Sequence, residues 1–109
     1  MNIIQLIAHD NYLVVNKTLI TKLGLEEAIL LGELASEYNY YMNQRLLTKD
    51  NYFYSTMENI EANININNNK QRKLLLKLKN LNLIDIRLQG LPAKRYIKLN
   101  ISKIEELLK

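Results

Sequence analysis

Four leucines between residues 70 and 81 recur at helical spacing, and the chain changes to a strand-like pattern directly after them. They predict one apolar stripe on a helix whose other faces carry Lys, Arg and Asn. The stripe consists of Leu74, Leu75, Leu78 and Leu81. Asn82 tolerates the left-handed backbone that ends a helix, and residues 83–88 then alternate as in a strand. The pattern therefore predicts a helix that packs through one face and offers another to a polyanion.

A tight turn is predicted immediately before this helix, at residues 64–67. Their Ile-Asn-Ile-Asn alternation also suits a strand, but four residues are too few to decide by periodicity. Asn65 can adopt the left-handed conformation, Ile66 can fill the core and Asn67 can cap the next helix. We interpret the segment as the turn between two helices.

The first of these two helices is predicted to begin at Ser55. Either Ser55 or Thr56 has a hydroxyl that can cap a helix. Only Ser55 is followed three residues later by an acid, Glu58, as a capping box requires. The helix-turn-helix is therefore expected at about residues 55–82.

A hairpin is predicted after the helix-turn-helix, at about residues 83–99. Gly90 and Pro92 mark the tip between two segments of period two, Leu83–Leu88 and Lys94–Leu99. Tyr52–Tyr54 is expected to pair with them as a short strand. The predicted fold is mainly α with a small antiparallel β-sheet, built on three core helices.

Residues 78–84, Leu-Lys-Asn-Leu-Asn-Leu-Ile, and residues 90–99, Gly-Leu-Pro-Ala-Lys-Arg-Tyr-Ile-Lys-Leu, resemble a known pattern. The chain is similar there to the winged helix-turn-helix of phage and plasmid replication initiators, of the replisome-organiser or RepA N-terminal type. In that pattern a recognition helix ends in Leu-x-x-Leu-Gly-Leu-Ile, and a basic-aromatic motif follows on the wing. This chain has Asn82 where the pattern prefers glycine. The resemblance spans about residues 50–99 and implies a role in replication.

The flanking segments complete one domain over residues 1–109. Residues 2–8 suit a short helix or strand, and residues 11–15 suit a strand. Asn16 is expected to cap a short helix that Gly24 ends. The longest helix is expected at Glu26 to about Met42. Its predicted packed face comprises Ala28, Ile29, Leu31, Gly32, Ala35 and Tyr38.

Two further features of the flanking segments are predicted. The aromatic run at residues 38–41, which ends the longest helix, is interpreted as partly buried packing rather than as a base-stacking platform. Asn100 or Ser102 is expected to cap a closing helix at about residues 102–108.

Composition excludes several classes of function. The chain has no Cys and a single histidine, His9, so neither a disulfide framework nor a clustered metal site is expected. The sequence contains no Gly-rich phosphate loop and no nucleophile with a base placed by motif, so we expect no enzyme and no cofactor. Short apolar runs and the absence of a signal peptide predict a cytoplasmic protein without membrane contact.

The charge distribution favours a polyanionic partner. Net charge is +4, with five bases and no acid at residues 70–79, and four Glu and no base at residues 26–37. Positive potential therefore lies where a DNA-facing helix needs it. A solvated amphipathic face is the alternative interpretation of the same basic residues.

Each candidate DNA-binding residue has an expected role. Base edges in the major groove suit Asn68, Asn69 and Arg72. Phosphates suit Lys70, Lys73 and Lys77, and the DNA backbone or the minor groove suits Lys94 and Arg95 of the wing. Leu76 lies off the packed stripe and suits a thymine methyl or a protein partner.

The resulting hypothesis is sequence-specific duplex DNA binding by a phage or mobile-element protein, in replication initiation or its regulation. A host or phage replication protein is a further candidate partner, and the chain is expected either to stand alone or to belong to a larger initiator. A small transcriptional regulator fits the same residues. The other alternative is an interaction module or inhibitor, for example in phage counter-defence, whose basic face binds a host protein or a ribonucleoprotein.

A homodimer is also predicted, because winged helices that bind two-fold sites usually pair. Apolar residues near both ends of the chain offer candidate contact surface. These residues are Ile3, Ile4, Leu6, Ile104, Leu107 and Leu108.

Overall fold

The computed structural model describes residue 3 and residues 12–109, and residues 12–109 form five helices and one three-stranded antiparallel sheet. The helices are α1 (Lys17–Leu23), α2 (Leu25–Asn43), α3 (Met57–Ile64), α4 (Asn68–Asn80) and α5 (Ile101–Leu108). The strands are β1 (Phe53–Tyr54), β2 (Ile84–Gln89) and β3 (Lys94–Leu99). This order confirms the predicted fold class, mainly α with a small antiparallel sheet in the arrangement of a winged helix-turn-helix.

Helix α2 is the central helix, as predicted, but its packed surface is broader than the predicted face. Ala28 and Leu31 are buried as expected, whereas Ala35 is exposed. Leu30 and Leu34, which the predicted face omitted, are fully buried. The reason is that α1, α3, α4 and the sheet contact α2 from several sides, so a single stripe does not describe it.

Strand β3 lies in the middle of the sheet, between β1 and β2. Phe53 of β1 and Ile86 of β2 both pair with Ile97, and the side chains of Phe53 and Ile97 are fully buried. The rings of Tyr38 and Tyr41 lie 6.3 Å and 6.0 Å from the ring of Phe53. These contacts confirm the predicted sheet and the packing role of Tyr38 and Tyr41, whereas Tyr40 of the same run is exposed.

The turn between α3 and α4 is confirmed at each predicted residue. Asn65 has φ 56° and ψ 39°, in the left-handed region, and ends α3. Ile66 is buried in the core. The side chain of Asn67 accepts a hydrogen bond from the backbone N–H of Lys70 at 2.9 Å and so caps α4. Local side-chain chemistry therefore determines the geometry of this turn.

The predicted cap of α3 at Ser55 is wrong, because Thr56 caps the helix. Thr56 Oγ1 accepts a hydrogen bond from the backbone N–H of Asn59 at 3.1 Å. Ser55 is buried, and its hydroxyl donates to Oε1 of Glu37 at 2.7 Å instead. A carboxylate on a distant helix thus takes the hydroxyl that the local pattern assigned to the cap.

The segment before α1 also departs from the prediction. Residues 12–15 form no strand; they pass over α2, where a Cβ on Gly32 would lie 2.8 Å from the carbonyl oxygen of Val14. Contact with a helix, rather than with a neighbouring strand, explains the difference. The expectation for residues 2–8, apart from Ile3, and the part of the strand prediction at Asn11 lie outside the described residues.

The remaining boundaries agree closely with the predictions. Asn16 caps α1, and Gly24 ends it with φ 116°. Asn82 has φ 62°, as predicted, but Leu81, predicted in the packed stripe, is 42% exposed because α4 has already ended beside it. Asn100, not Ser102, caps α5. No helix in the part of the chain that the structure describes is long and apolar enough to cross a membrane.

Candidate nucleic-acid interface

Helix α4 divides sharply into a buried face and an exposed face. Its buried side chains are Gln71, Leu74, Leu75 and Leu78. At 100° of rotation per residue, the opposite face carries Asn69, Lys73, Leu76 and Asn80, all exposed. Leu76 is 58% exposed, which confirms its predicted place off the packed stripe. We call these four residues, with Asn68 and Arg72 at their edge, the α4 outer face.

Gln71 fixes the angle between α4 and the rest of the helix-turn-helix. It is fully buried, and its Nε2 donates to the backbone carbonyls of Met57 at 3.0 Å and Ile66 at 2.8 Å. These bonds join α4 to the first turn of α3 and to the turn between them. Gln71 was not among the predicted residues, although its position three residues before Leu74 places it on the leucine face.

Arg72 and Asn69 contact each other on the α4 outer face. Nη1 of Arg72 donates to Oδ1 of Asn69 at 3.4 Å, and both side chains are exposed. Lys73 makes no ion pair with any residue in the range 12–109. The outer face therefore presents free donors, an acceptor and one apolar side chain toward solvent.

Lys70 and Lys77 lie on one flank of α4 and are held by the start of α2. Nζ of Lys70 is 2.8 Å from Oε2 of Glu26. Lys77 forms an ion pair with Glu27 and also donates to the carbonyl of Leu23 at 2.9 Å. The hydrogen bond from Lys77 is the main reason that the pKa of Glu27 lies below its ordinary value. Two of the three predicted phosphate-binding cations on this helix are therefore already paired with carboxylates.

The two basic residues of the wing point in different directions. Lys94 is exposed, with its Nζ 5.6 Å from the centre of the Tyr54 ring. Arg95 is half-buried, and its Nε donates to the carbonyl of Ser55 at 3.1 Å. Burial lowers the pKa of Arg95, and Glu37 and Glu58 act against that effect. The structure thus separates Arg95 from the exposed residues with which the sequence grouped it.

A polar cluster behind the wing joins α2, α3 and β3. Glu37 accepts the hydroxyl of Ser55, and Glu33 accepts a hydrogen bond from Nδ2 of Asn63 at 2.9 Å. Burial raises the pKa of Glu37 to about 7, Glu33 adds to that increase, and Ser55 and Arg95 oppose it. No sequence motif pointed to this cluster, because its members are far apart in the chain.

The outer edge of the wing is anchored to the loop before β1. Nη1 of Arg87 lies 2.6 Å from Oδ2 of Asp50, and the guanidinium lies 4.0 Å from the centre of the Tyr52 ring. The hydroxyl of Tyr52 donates to Asp85. Hydrogen bonding from Arg87 lowers the pKa of Asp50 to about 2. The Arg87 side chain is therefore committed to the body of the protein.

Comparisons with known proteins give two solved structures of similar fold. One is described as the "N-Terminal domain of DNA binding protein" and the other as the "Structure of Rep-DNA complex". Each has a TM-score of 0.67 and 19% sequence identity and covers 97% of this chain; this chain covers 92% of the first and 93% of the second. No protein-family model and no curated protein matches the sequence. At this identity, the likeness shows the fold that this chain shares with them.

Proposed function

We propose that this protein binds duplex DNA in a sequence-specific manner through the α4 outer face, in replication initiation or its regulation. The observation that carries the proposal is the composition of that face, in which amide, guanidinium and ammonium groups surround one leucine without an acid. Such a face on the second helix of a helix-turn-helix suits the major groove. One structure of similar fold is of a Rep protein bound to DNA, which supports the replication context.

The proposal gives a distinct role to each group on the face. Asn69 and Arg72 have the donors and acceptors that read adenine and guanine edges, and Asn68 adds another amide at the start of the helix. Lys73 neutralises a phosphate, and Leu76 contacts a thymine methyl. These are the residues of the first helical turns and the centre of α4, where a recognition helix meets base edges.

Three of the basic residues predicted to contact DNA have different roles in this proposal. Lys70 and Lys77 contact phosphates only by exchanging or sharing their ion pairs with Glu26 and Glu27. Arg95 supports the wing through Ser55 and is not a DNA contact. Lys94 remains the exposed phosphate-binding residue of the wing.

A protein-interaction module is the second candidate, and the exposure of Leu76 is the observation that favours it. An apolar side chain in the middle of a polar face suits a protein hot spot as well as a thymine. We also propose a phage or mobile-element origin and a host replication protein as a partner. A counter-defence role belongs to the interaction module. Transcriptional control requires the same DNA contacts.

The test is fluorescence anisotropy with duplexes that the protein selects from a randomised pool, compared with random duplexes. Lys73→Ala should weaken binding to both classes and reduce the slope of log affinity against log salt by about 0.9. Lys17→Ala, which removes an exposed charge from α1, is the matched control and should leave both quantities nearly unchanged. Equal effects of the two substitutions on DNA binding would favour the interaction module. So would a Lys73→Ala variant that binds DNA normally but loses a protein partner.

A further inference from the structure

The tip of the wing is apolar and uncharged. Residues 88–93 read Leu-Gln-Gly-Leu-Pro-Ala, with no acid and no base. Leu91 is fully exposed and Leu88 is 67% exposed. Gly90 has φ 93°, a conformation that lets the chain reverse between β2 and β3 and carry Leu91 outward. Single exposed leucines are common, but Leu88 at the end of β2 and Leu91 in the turn together form a small apolar projection.

Two of the three cations near this tip point toward the protein. Arg87 is committed to Asp50 and to the Tyr52 ring, and Arg95 is committed to Ser55. Lys94, which pairs with Gln89 directly beside the tip, is the exposed cation that remains there on β2 and β3. A wing that contacted DNA by charge alone would carry basic side chains on the tip itself. This wing has one exposed cation beside the tip and two exposed leucines on it.

The length of the hairpin suits contact with a second groove of the duplex. The six residues of β2 extend about 17 Å at about 3.3 Å per residue. Half of the roughly 34 Å helical repeat of DNA is also about 17 Å, and this half-repeat is the approximate distance from one groove to the next. Because β2 follows α4 after a turn of three residues, the hairpin begins at the end of the helix that bears the outer face.

We propose that Leu91 is an apolar wedge that enters the minor groove beside the major-groove site, partly unstacks one base step and bends the duplex. This inference rests on the proposed DNA binding. Inserted apolar side chains of this kind kink DNA by about 20–90°. Pyrimidine–purine steps unstack most easily, so the wedge gives the protein a preference at a position where it makes no hydrogen bond.

The wedge is tested with the full chain and a duplex of about 30 base pairs that the wild-type protein has selected, labelled at its ends with a donor and an acceptor dye. Binding of the wild type should increase energy transfer between the dyes, because bending brings the ends together. Leu91→Gln should abolish the increase and weaken binding by about tenfold. Leu91→Met, which keeps an apolar side chain of similar length, should restore both.

The salt dependence separates this role from a phosphate contact. Leu91→Gln should leave the slope of log affinity against log salt unchanged, because no cation is lost. Thermal unfolding of the variant should also match the wild type, since Leu91 is fully exposed. A duplex that is bound without bending, or is bent equally by Leu91→Gln, overturns the wedge and leaves DNA binding intact. Failure of the wild type to bind any selected duplex overturns the proposed function together with the wedge.

Discussion

Replacing Glu37 with glutamine should make the protein more stable at neutral pH and flatten its dependence on pH. Glu37 is buried with a pKa of about 7, against an ordinary value of 4.5. Each tenfold change in an ionisation constant corresponds to about 1.4 kcal/mol, so the ionised carboxylate costs the folded state about 3 kcal/mol. The cause is burial, reinforced by Glu33 and opposed by Ser55 and Arg95.

The sign follows from where the proton binds. Between pH 4.5 and about 7 the folded protein holds a proton on Glu37 that the unfolded chain has released. The stabilising effect of that proton is fully present below pH 4.5 and is lost as the pH rises through about 7. The unfolding free energy of the wild type should therefore fall by up to about 3 kcal/mol over this interval.

Urea unfolding followed by circular dichroism at a series of pH values measures the effect. Glu37→Gln keeps an acceptor for the Ser55 hydroxyl and should gain up to about 3 kcal/mol over the wild type at about pH 8, with no gain at pH 4.5. Loss of the attraction between the Glu37 carboxylate and Arg95 reduces this gain in unfolding free energy. Glu61→Gln, an exposed change on α3, is the matched control. Equal pH profiles for wild type and Glu37→Gln would refute the reasoning.

Three other predictions concern stability and assembly. Thr56→Ala should lower the free energy of unfolding by about 1 kcal/mol through loss of the α3 cap, and far-UV circular dichroism in urea measures it; no loss would contradict the observed cap. Gln71→Ala should cost about 2–4 kcal/mol in the same assay, because one buried and one partly buried carbonyl lose their donor, and a cost below that of Thr56→Ala would contradict its anchoring role. The chain should sediment as a homodimer, with Ile101→Lys and Leu108→Lys converting it to a monomer, since both side chains remain exposed on α5; a monomeric wild type well above working concentration would contradict the dimer.

Sequence alone was sufficient wherever a residue and its neighbours decide the geometry. Asn65 and Asn82 both adopt the left-handed backbone that the sequence predicted, and Asn67 caps α4. Strand β3 has the predicted bounds, Lys94–Leu99. Turn and cap chemistry acts within a few residues, so it can be recognised before the fold is known.

Sequence was insufficient wherever a distant partner decides the outcome. Ser55 satisfies the capping-box pattern locally, yet Glu37 takes its hydroxyl across the core. Arg95 was predicted as an exposed basic residue, but its Nε donates to the backbone carbonyl of Ser55 and the side chain is half-buried. Lys77 is exposed by helical phase and nevertheless pairs with Glu27 from another helix. The α4 outer face was therefore predictable in outline, and the state of each cation around it was not.

The most direct test of the central claim is a map of the DNA-contacting residues by nuclear magnetic resonance. Backbone amide shifts of the full chain are recorded while a duplex selected by the protein is added. The account predicts the largest changes at Asn69, Lys73 and Leu76, with a second group at Gly90 to Lys94. Changes confined to other surfaces, such as α5 or the end of α2, with the α4 outer face unaffected, would contradict it.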